Sequence, residues 1–401
     1  SEESFMQNAK AISNLKLRVG YGATGNENVL GTNSQSLYRS GYNFLIGSTM
    51  HTGLMLTQIE NPELKWETDY TLNIGIDYGL FNQRINGSIE FFHRGVKDLL
   101  DYQTLPSNNA VGRVAANIGE TKSEGFEFSL NSDNLNSKTF KWETTLNVSY
   151  FKASWVERNP EVALAEYIDE KGEIDAIYGW KTDGIIRSKS EIPSYMPNAN
   201  VGNVKYVDLN GDGQLDAKDV VKLGNSTPRW MIGFGNTWSW KGFDLNIYLY
   251  SALGFKKYIG TYNSGTGRTY GQIPVADNLG NRGNAPSNTY TSVMTEVWNS
   301  QNGQGWMPGV ATNPLDSKNP SGANDFYLQD GSYVKLKNIT LGYTLPQSVF
   351  LKSNFIRGAR FFVDAQNVAT FTGYDGFDPE LSTGNPYPQA LSLSFGFNLN
   401  F

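Results

Sequence analysis

The densest run of potential metal ligands in the chain is Asp208-Leu-Asn210-Gly-Asp212-Gly-Gln214-Leu-Asp216-Ala-Lys-Asp219. Oxygen donors fall at loop positions 1, 3, 5, 9 and 12, with Gly213 at position 6 and the Gln214 carbonyl at position 7. That is calcium-loop spacing, because a hard cation gathers many oxygens from one tight turn. Carboxylates packed this closely repel one another unless a cation sits among them. Two features depart from the usual pattern. Asp219 stands where a glutamate is expected, and Val204 to Val207 reads as extended, so no helix enters the loop. The expectation is one structural calcium site, with Asp208, Asn210, Asp212, Gln214, Asp216 and Asp219 as ligands, stabilising a long loop. The alternative is an acidic, Asx-rich surface turn without an ion.

Other chemistry is poorly supplied. There is no cysteine, so thiolate sites, disulfides and cysteine nucleophiles are excluded together. The two histidines, His51 and His93, are far apart. Acids crowd two stretches: Asp169, Glu170 and Glu173, and Asp375, Asp378 and Glu380. Without a supporting polar scaffold both groups read as solvated loop acids, not a hydrolytic pair. No phosphate-binding loop, nucleophile elbow or zinc motif is present, and no enzyme is expected. A net charge of −6 offers no basic face for a nucleic-acid backbone. The stretch 252–331 is rich in Asn, Gly, Ser and Tyr and contains Trp298 and Trp306. These two tryptophans are candidate substrate contacts, able to stack on sugars. The same stretch serves equally well as a docking surface for a partner or as a packed loop.

Strong period-2 alternation sets the frame for these loops. Tyr70, Leu72, Ile74, Ile76, Tyr78 and Leu80 are apolar, with Thr71, Asn73, Gly75, Asp77 and Gly79 between them. Leu391, Leu393, Phe395, Phe397, Leu399 and Phe401 alternate with Ser392, Ser394, Gly396, Asn398 and Asn400. Similar runs start near Leu15, Ile85, Phe126, Phe140, Trp230, Phe243, Ile339 and Phe361. About ten strands result, each near the ~9–11 residues that cross a membrane when tilted. Short connections near Asn82-Gln83, 132–137, Lys241-Gly242 and 347–357 alternate with long ones near 24–67, 94–120, 153–229, 252–331 and 368–390. Outer-membrane barrels show this asymmetry, with tight periplasmic turns and long extracellular loops. Trp238, Trp240, Phe140, Trp142 and Tyr78 lie beside the short turns, and Tyr21, Tyr70, Tyr150 and Trp230 at the opposite strand ends. Two interfacial aromatic girdles are therefore expected. The alternative is a soluble β-sandwich whose core holds both aromatic clusters.

A mean hydropathy of −0.43 and the lack of an apolar run of ~18–20 residues rule out a membrane helix. Neither excludes a barrel, in which only alternate residues face lipid. The opening Ser1-Glu-Glu-Ser-Phe, immediately before a strand, reads as a fragment or processed segment.

Several segments carry a family resemblance. They include Leu15-Lys-Leu-Arg-Val-Gly-Tyr-Gly22, Asn61-Pro-Glu-Leu-Lys-Trp-Glu67 and Asn117-Ile-Gly-Glu-Thr-Lys-Ser-Glu-Gly-Phe-Glu-Phe128. Asp208 to Gly213, Gly331 to Tyr343, Phe361 to Asn367 and Gly376-Phe-Asp-Pro-Glu380 follow in order. Together they resemble the SusC/RagA family of TonB-dependent outer-membrane transporters, over nearly the whole chain. The resemblance implies that residues 1–401 are the C-terminal portion of an all-β, transmembrane antiparallel barrel of about 22 strands. The plug and the N-terminal strands would lie upstream. It further implies import of oligosaccharides or peptides, a SusD-like lipoprotein lid, and drive from the TonB complex through the plug. The remainder of the barrel and outer-membrane lipid would be its other neighbours. A passive porin or adhesin-type barrel is the runner-up, and a soluble glycan-binding module the third reading.

Overall fold

The computed structural model describes residues 10–26, 35–199, 204–258, 324–326, 328–351, 355–374, 378–381 and 389–401. Ten long strands form one sheet: β1 (Ile12–Asn26), β2 (Glu67–Leu80), β3 (Ile85–Lys97), β4 (Glu120–Asn136), β5 (Phe140–Glu157), β6 (Trp230–Trp240), β7 (Phe243–Leu253), β8 (Tyr333–Thr344), β9 (Gly358–Thr372) and β10 (Ser392–Asn400). Each strand neighbours the next in chain order, an up-and-down arrangement. Lengths run from 9 residues in β10 to 18 in β5, above the ordinary soluble strand.

Local chemistry sets the short turns. Lys241 (φ 49°) and Gly242 (φ 91°) are both left-handed, as a two-residue hairpin with right-handed strand twist requires. A Cβ at residue 242 would also meet the Thr344 carbonyl at 2.7 Å. The connection from β8 to β9 holds a 3₁₀ helix, Gln347–Phe350.

The chain divides into two compact units. The first comprises 1–83, 87–128 and 150–174; the second comprises 84–86, 129–149 and 175–401. Within the first, the long connections carry hairpins, Leu37–Ile46 with Thr49–Gln58 and Leu100–Thr104 with Arg113–Asn117. Within the second, Ala176–Trp180 pairs with Val220–Asn225, and Thr182–Ile185 with Val204–Tyr206. This insert buries Trp180, Ile185, Ile186, Met196, Val204 and Tyr206, a core of its own. Its neck is tied by Asp175, whose carboxylate accepts from Arg229 at 2.8 Å and from the Thr227 N–H at 3.0 Å. Burial pushes the Asp175 carboxyl up, but Arg229 outweighs it and holds the group below its usual range. Within 37–58, 100–117 and 176–225 the connections are thus folded structures and not the plain loops the sequence suggests.

The sheet itself has no apolar core on its hydrophobic face. Leu245, Leu341, Val363 and Phe395 fall in one cross-strand row, as do Leu17 with Ile76 and Val19 with Ile74. Their side chains are not covered by protein. Phe395 is 79% exposed and Leu341 50%. Neither Leu72 nor Ile247 is buried. A sandwich would bury these rows, so that alternative fails. Asn236 departs from the pattern. It shares the apolar face with Phe234 and Trp238, yet is only 8% exposed. Its Oδ1 accepts from Trp142 Nε1 at 2.8 Å and Thr144 Oγ1 at 2.7 Å, joining neighbouring strands β5 and β6.

Candidate functional site

The opposite face of the sheet is polar, and several of its charges are paired. Arg18 on β1 lies 3.0 Å from Asp77 on β2 and 3.0 Å from Glu90 on β3. Arg94 pairs with Asp69. In the second unit Arg360 meets Asp244 at 2.6 Å, and Asp364 accepts from Asn338 and Thr340, each at 2.6 Å. Alternation puts every one of these groups on the parity opposite to the apolar rows. A polar wall carrying such pairs suits the inside of a channel.

The calcium-type loop lies in the second unit, between Val204–Tyr206 and the single-turn 3₁₀ helix Ala217–Asp219. The extended approach matches the expectation. Left-handed Gly211 (φ 75°) and Gly213 (φ 81°) curl the chain round Asp208, whose two oxygens accept their N–H groups at 2.7 and 2.8 Å. Asn210 and Asp212 each accept from the backbone two residues on, as Asx turns do. Asp219 has no exposed surface. It accepts from Leu209 and Asn210 at the loop's start and from Asp216 near its end, so it pins the loop closed. The donor set is all oxygen and suits calcium in type. As placed, no three acidic side chains among the described residues converge to hold an ion.

The acids at 378–380 give a different result from the sequence reading. Asp378 and Glu380 are not solvated loop acids. Lys335 on β8 is 2% exposed, and its ammonium lies 2.6 Å from Glu380, 3.5 Å from Asp378 and 2.8 Å from Gln389. Lys337 adds a second contact to Glu380 at 3.1 Å. Lys257 donates to the carbonyls of Asp378, Pro379 and Leu381. Burial pushes the Glu380 carboxyl up, but its bonds to Lys335 and Lys337 prevail and hold it below the usual carboxylate range. Burial lowers Lys257, with partial relief from Asp378. The connection after β9 is therefore latched to β8. A polar-parity lysine on β8 was the one available sequence signal. By contrast Asp169 and Glu170 are exposed, as expected of solvated acids. Asp375, Trp298 and Trp306 lie outside the described residues.

A protein family with this sheet is identified by comparison. Residues 8–368 match the family model described as TonB dependent receptor-like, beta-barrel. The chain belongs to that family. TonB-dependent receptor P3 of Formosa agariphila is 28% identical over all of this chain and 41% of its own length. TonB-dependent receptor SusC of Bacteroides thetaiotaomicron is 25% identical, again over the whole chain and 39% of its own length. The solved RagAB peptide importer in its open-open state superposes with a TM-score of 0.74 at 24% identity. It covers 99% of this chain and 41% of that one, and shows the fold. The chain spans about two fifths of the length of these relatives. As part of a TonB-dependent receptor barrel, the ten strands are membrane wall. Their uncovered apolar rows face hydrocarbon, and the paired charges face the interior. No helix among the described residues is long and apolar enough to cross a membrane, and a barrel needs none.

Proposed function

We propose that the full-length protein imports oligosaccharides or peptides across the bacterial outer membrane, driven by TonB through an upstream plug. A SusD-like surface lipoprotein covers its extracellular mouth. The observation that carries this reading is the family match over residues 8–368, on a sheet whose apolar rows lack any protein cover. Likeness to the RagAB peptide transporter, 25% identical, supports the peptide class. A passive barrel would take up substrate without energy. The test is to purify the full-length protein with its neighbours from outer membranes and identify bound ligand and lipoprotein by mass spectrometry. Uptake that continues undiminished when TonB is deleted overturns the proposal in favour of a passive pore.

We also propose that the 208–219 loop takes up calcium as a structural ion. Asp208, Asn210, Asp212, the Gln214 carbonyl, Asp216 and Asp219 would hold it. The loop's spacing and the Asp208 oxygens at the hub of the turn support this. Calcium would steady the loop beneath its 3₁₀ turn and supply no catalysis. Asp212→Ala should loosen residues 204–224. Protease sensitivity that is identical with calcium and with chelator sinks the site.

A further inference from the structure

The outward face of the first unit changes character at the strand ends that lead into the long connections. Along β4, Phe128 and Phe126 give way on the same parity to Glu124, Lys122 and Glu120. Along β3, Phe91 gives way to His93 and Lys97. On β5, Lys152 follows Tyr150 on the same face. The switch occurs just past an aromatic layer. Phe126 stacks with Tyr150 at 5.9 Å, and Tyr70 lies 5.9 Å from His93.

Tyr70, His93, Lys97, Glu120, Lys122 and Glu124 form one connected group. His93 Nδ1 lies 3.0 Å from Glu124, which Lys122 approaches at 3.5 Å. Tyr70 donates to Glu120 at 3.0 Å, and Lys97 lies 3.9 Å from Glu120 and 5.0 Å from the centre of the Tyr70 ring. With exposed Lys152 on the same face of β5, three ammonium groups and an imidazole stand against two carboxylates. Each ammonium has three donors, so a single carboxylate leaves donors for another acceptor.

Such charge is not a general feature of the outward face. In the second unit the corresponding rows are Ile232, Ser251, Val334 and Phe371, and then Phe234, Leu249, Leu336 and Ala369. None of these residues is ionisable. A local cationic excess directly beyond an aromatic layer sits where hydrocarbon meets headgroup.

We infer that Lys97, Lys122 and Lys152, with His93 and Tyr70, form a binding site for the phosphate-bearing headgroup of an outer-leaflet glycolipid. Glu120 and Glu124 hold the lysines upright between visits of the lipid. The acyl chains lie along Ile89, Phe91, Phe126 and Phe128 below. The site goes beyond the transport reading and rests on its outer-membrane placement.

The test uses the full-length protein, extracted from outer membranes in mild detergent and weighed by native mass spectrometry. The wild type should retain phosphorylated glycolipid. The combined variant Lys97→Gln, Lys122→Gln, Lys152→Gln should retain less, by about fivefold for each lysine removed. Unchanged heat-modifiable gel mobility confirms that the variant is folded. Equal retention by variant and wild type, or equal retention of dephosphorylated lipid, overturns the site. Displacement by excess inorganic phosphate alone overturns the lipid assignment in favour of a free-anion site. Protein that does not fractionate with outer membranes refutes the membrane placement itself. Normal fractionation with no lipid difference refutes only this site.

Discussion

Two lysine clusters stand at strand ends that lead into long connections, and they behave in opposite ways. Lys97, Lys122 and Lys152 lie on the outward parity of β3, β4 and β5, with much of the Lys97 and Lys122 side chains exposed. Lys335 lies on the inward parity of β8 and is covered by the acids that follow β9. The residue type is the same, and parity decides what each lysine meets. Outward, it meets the membrane boundary and keeps its stem on apolar surface and its head in water. Inward, it is sealed under a folded connection, where removing its partners leaves an expensive charge.

The comparison is easiest to break at the buried cluster. Lys335→Met should leave Asp378 without its counter-ion and Glu380 with Lys337 alone, at a cost of about 3–5 kcal/mol. Hydrogen exchange should show faster opening at 378–381 and 389–391. Protection equal to the wild type would mean that the latch contributes nothing. Next in size is a charge placed within the belt. Leu341→Lys should destabilise the barrel by about 2–4 kcal/mol in lipid, against roughly 0–1 for Phe371→Lys at the exposed rim. Urea titration in liposomes measures both. Equal costs would remove the distinction between belt and rim.

Acid sharpens the contrast further. Glu380 is held below its ordinary pKa, so its contribution is complete above the unfolded value and is lost as pH falls through the folded one. Protease resistance of the latch should therefore decline below about pH 4, the ordinary carboxylate range. Glu380→Gln should flatten that decline. The smallest effect belongs to the outward cluster. Lys122→Met should alter folding stability by about 0–1 kcal/mol, because its ion pair is solvent-accessible. A larger loss would show that Lys122 is a structural strut.

What the sequence disclosed follows from locality. Alternation with period two is written into each strand, so all ten strands, their faces and the Lys241-Gly242 turn were legible. The turns within 208–219 were legible for the same reason, since Asx bonds span two residues. The latch was not. Lys335 and Gln389 are 54 positions apart, and nothing local marks them as partners. The hairpins inside the long connections were also missed: Leu100–Thr104 and Arg113–Asn117 are only five residues each, and alternation is weak in the longer pair. Phe44 faces His51 and Leu45 faces Met50, so both faces of that pair are apolar.

Asn236 bears on a problem peculiar to strands in hydrocarbon. Sliding β6 along β5 by two positions returns every side chain to its own face, so the oily solvent barely distinguishes the two alignments. The amide joined to Trp142 and Thr144 does distinguish them, because slippage strands a polar head among acyl chains. A single carboxamide can thus act as the peg that selects one alignment during insertion.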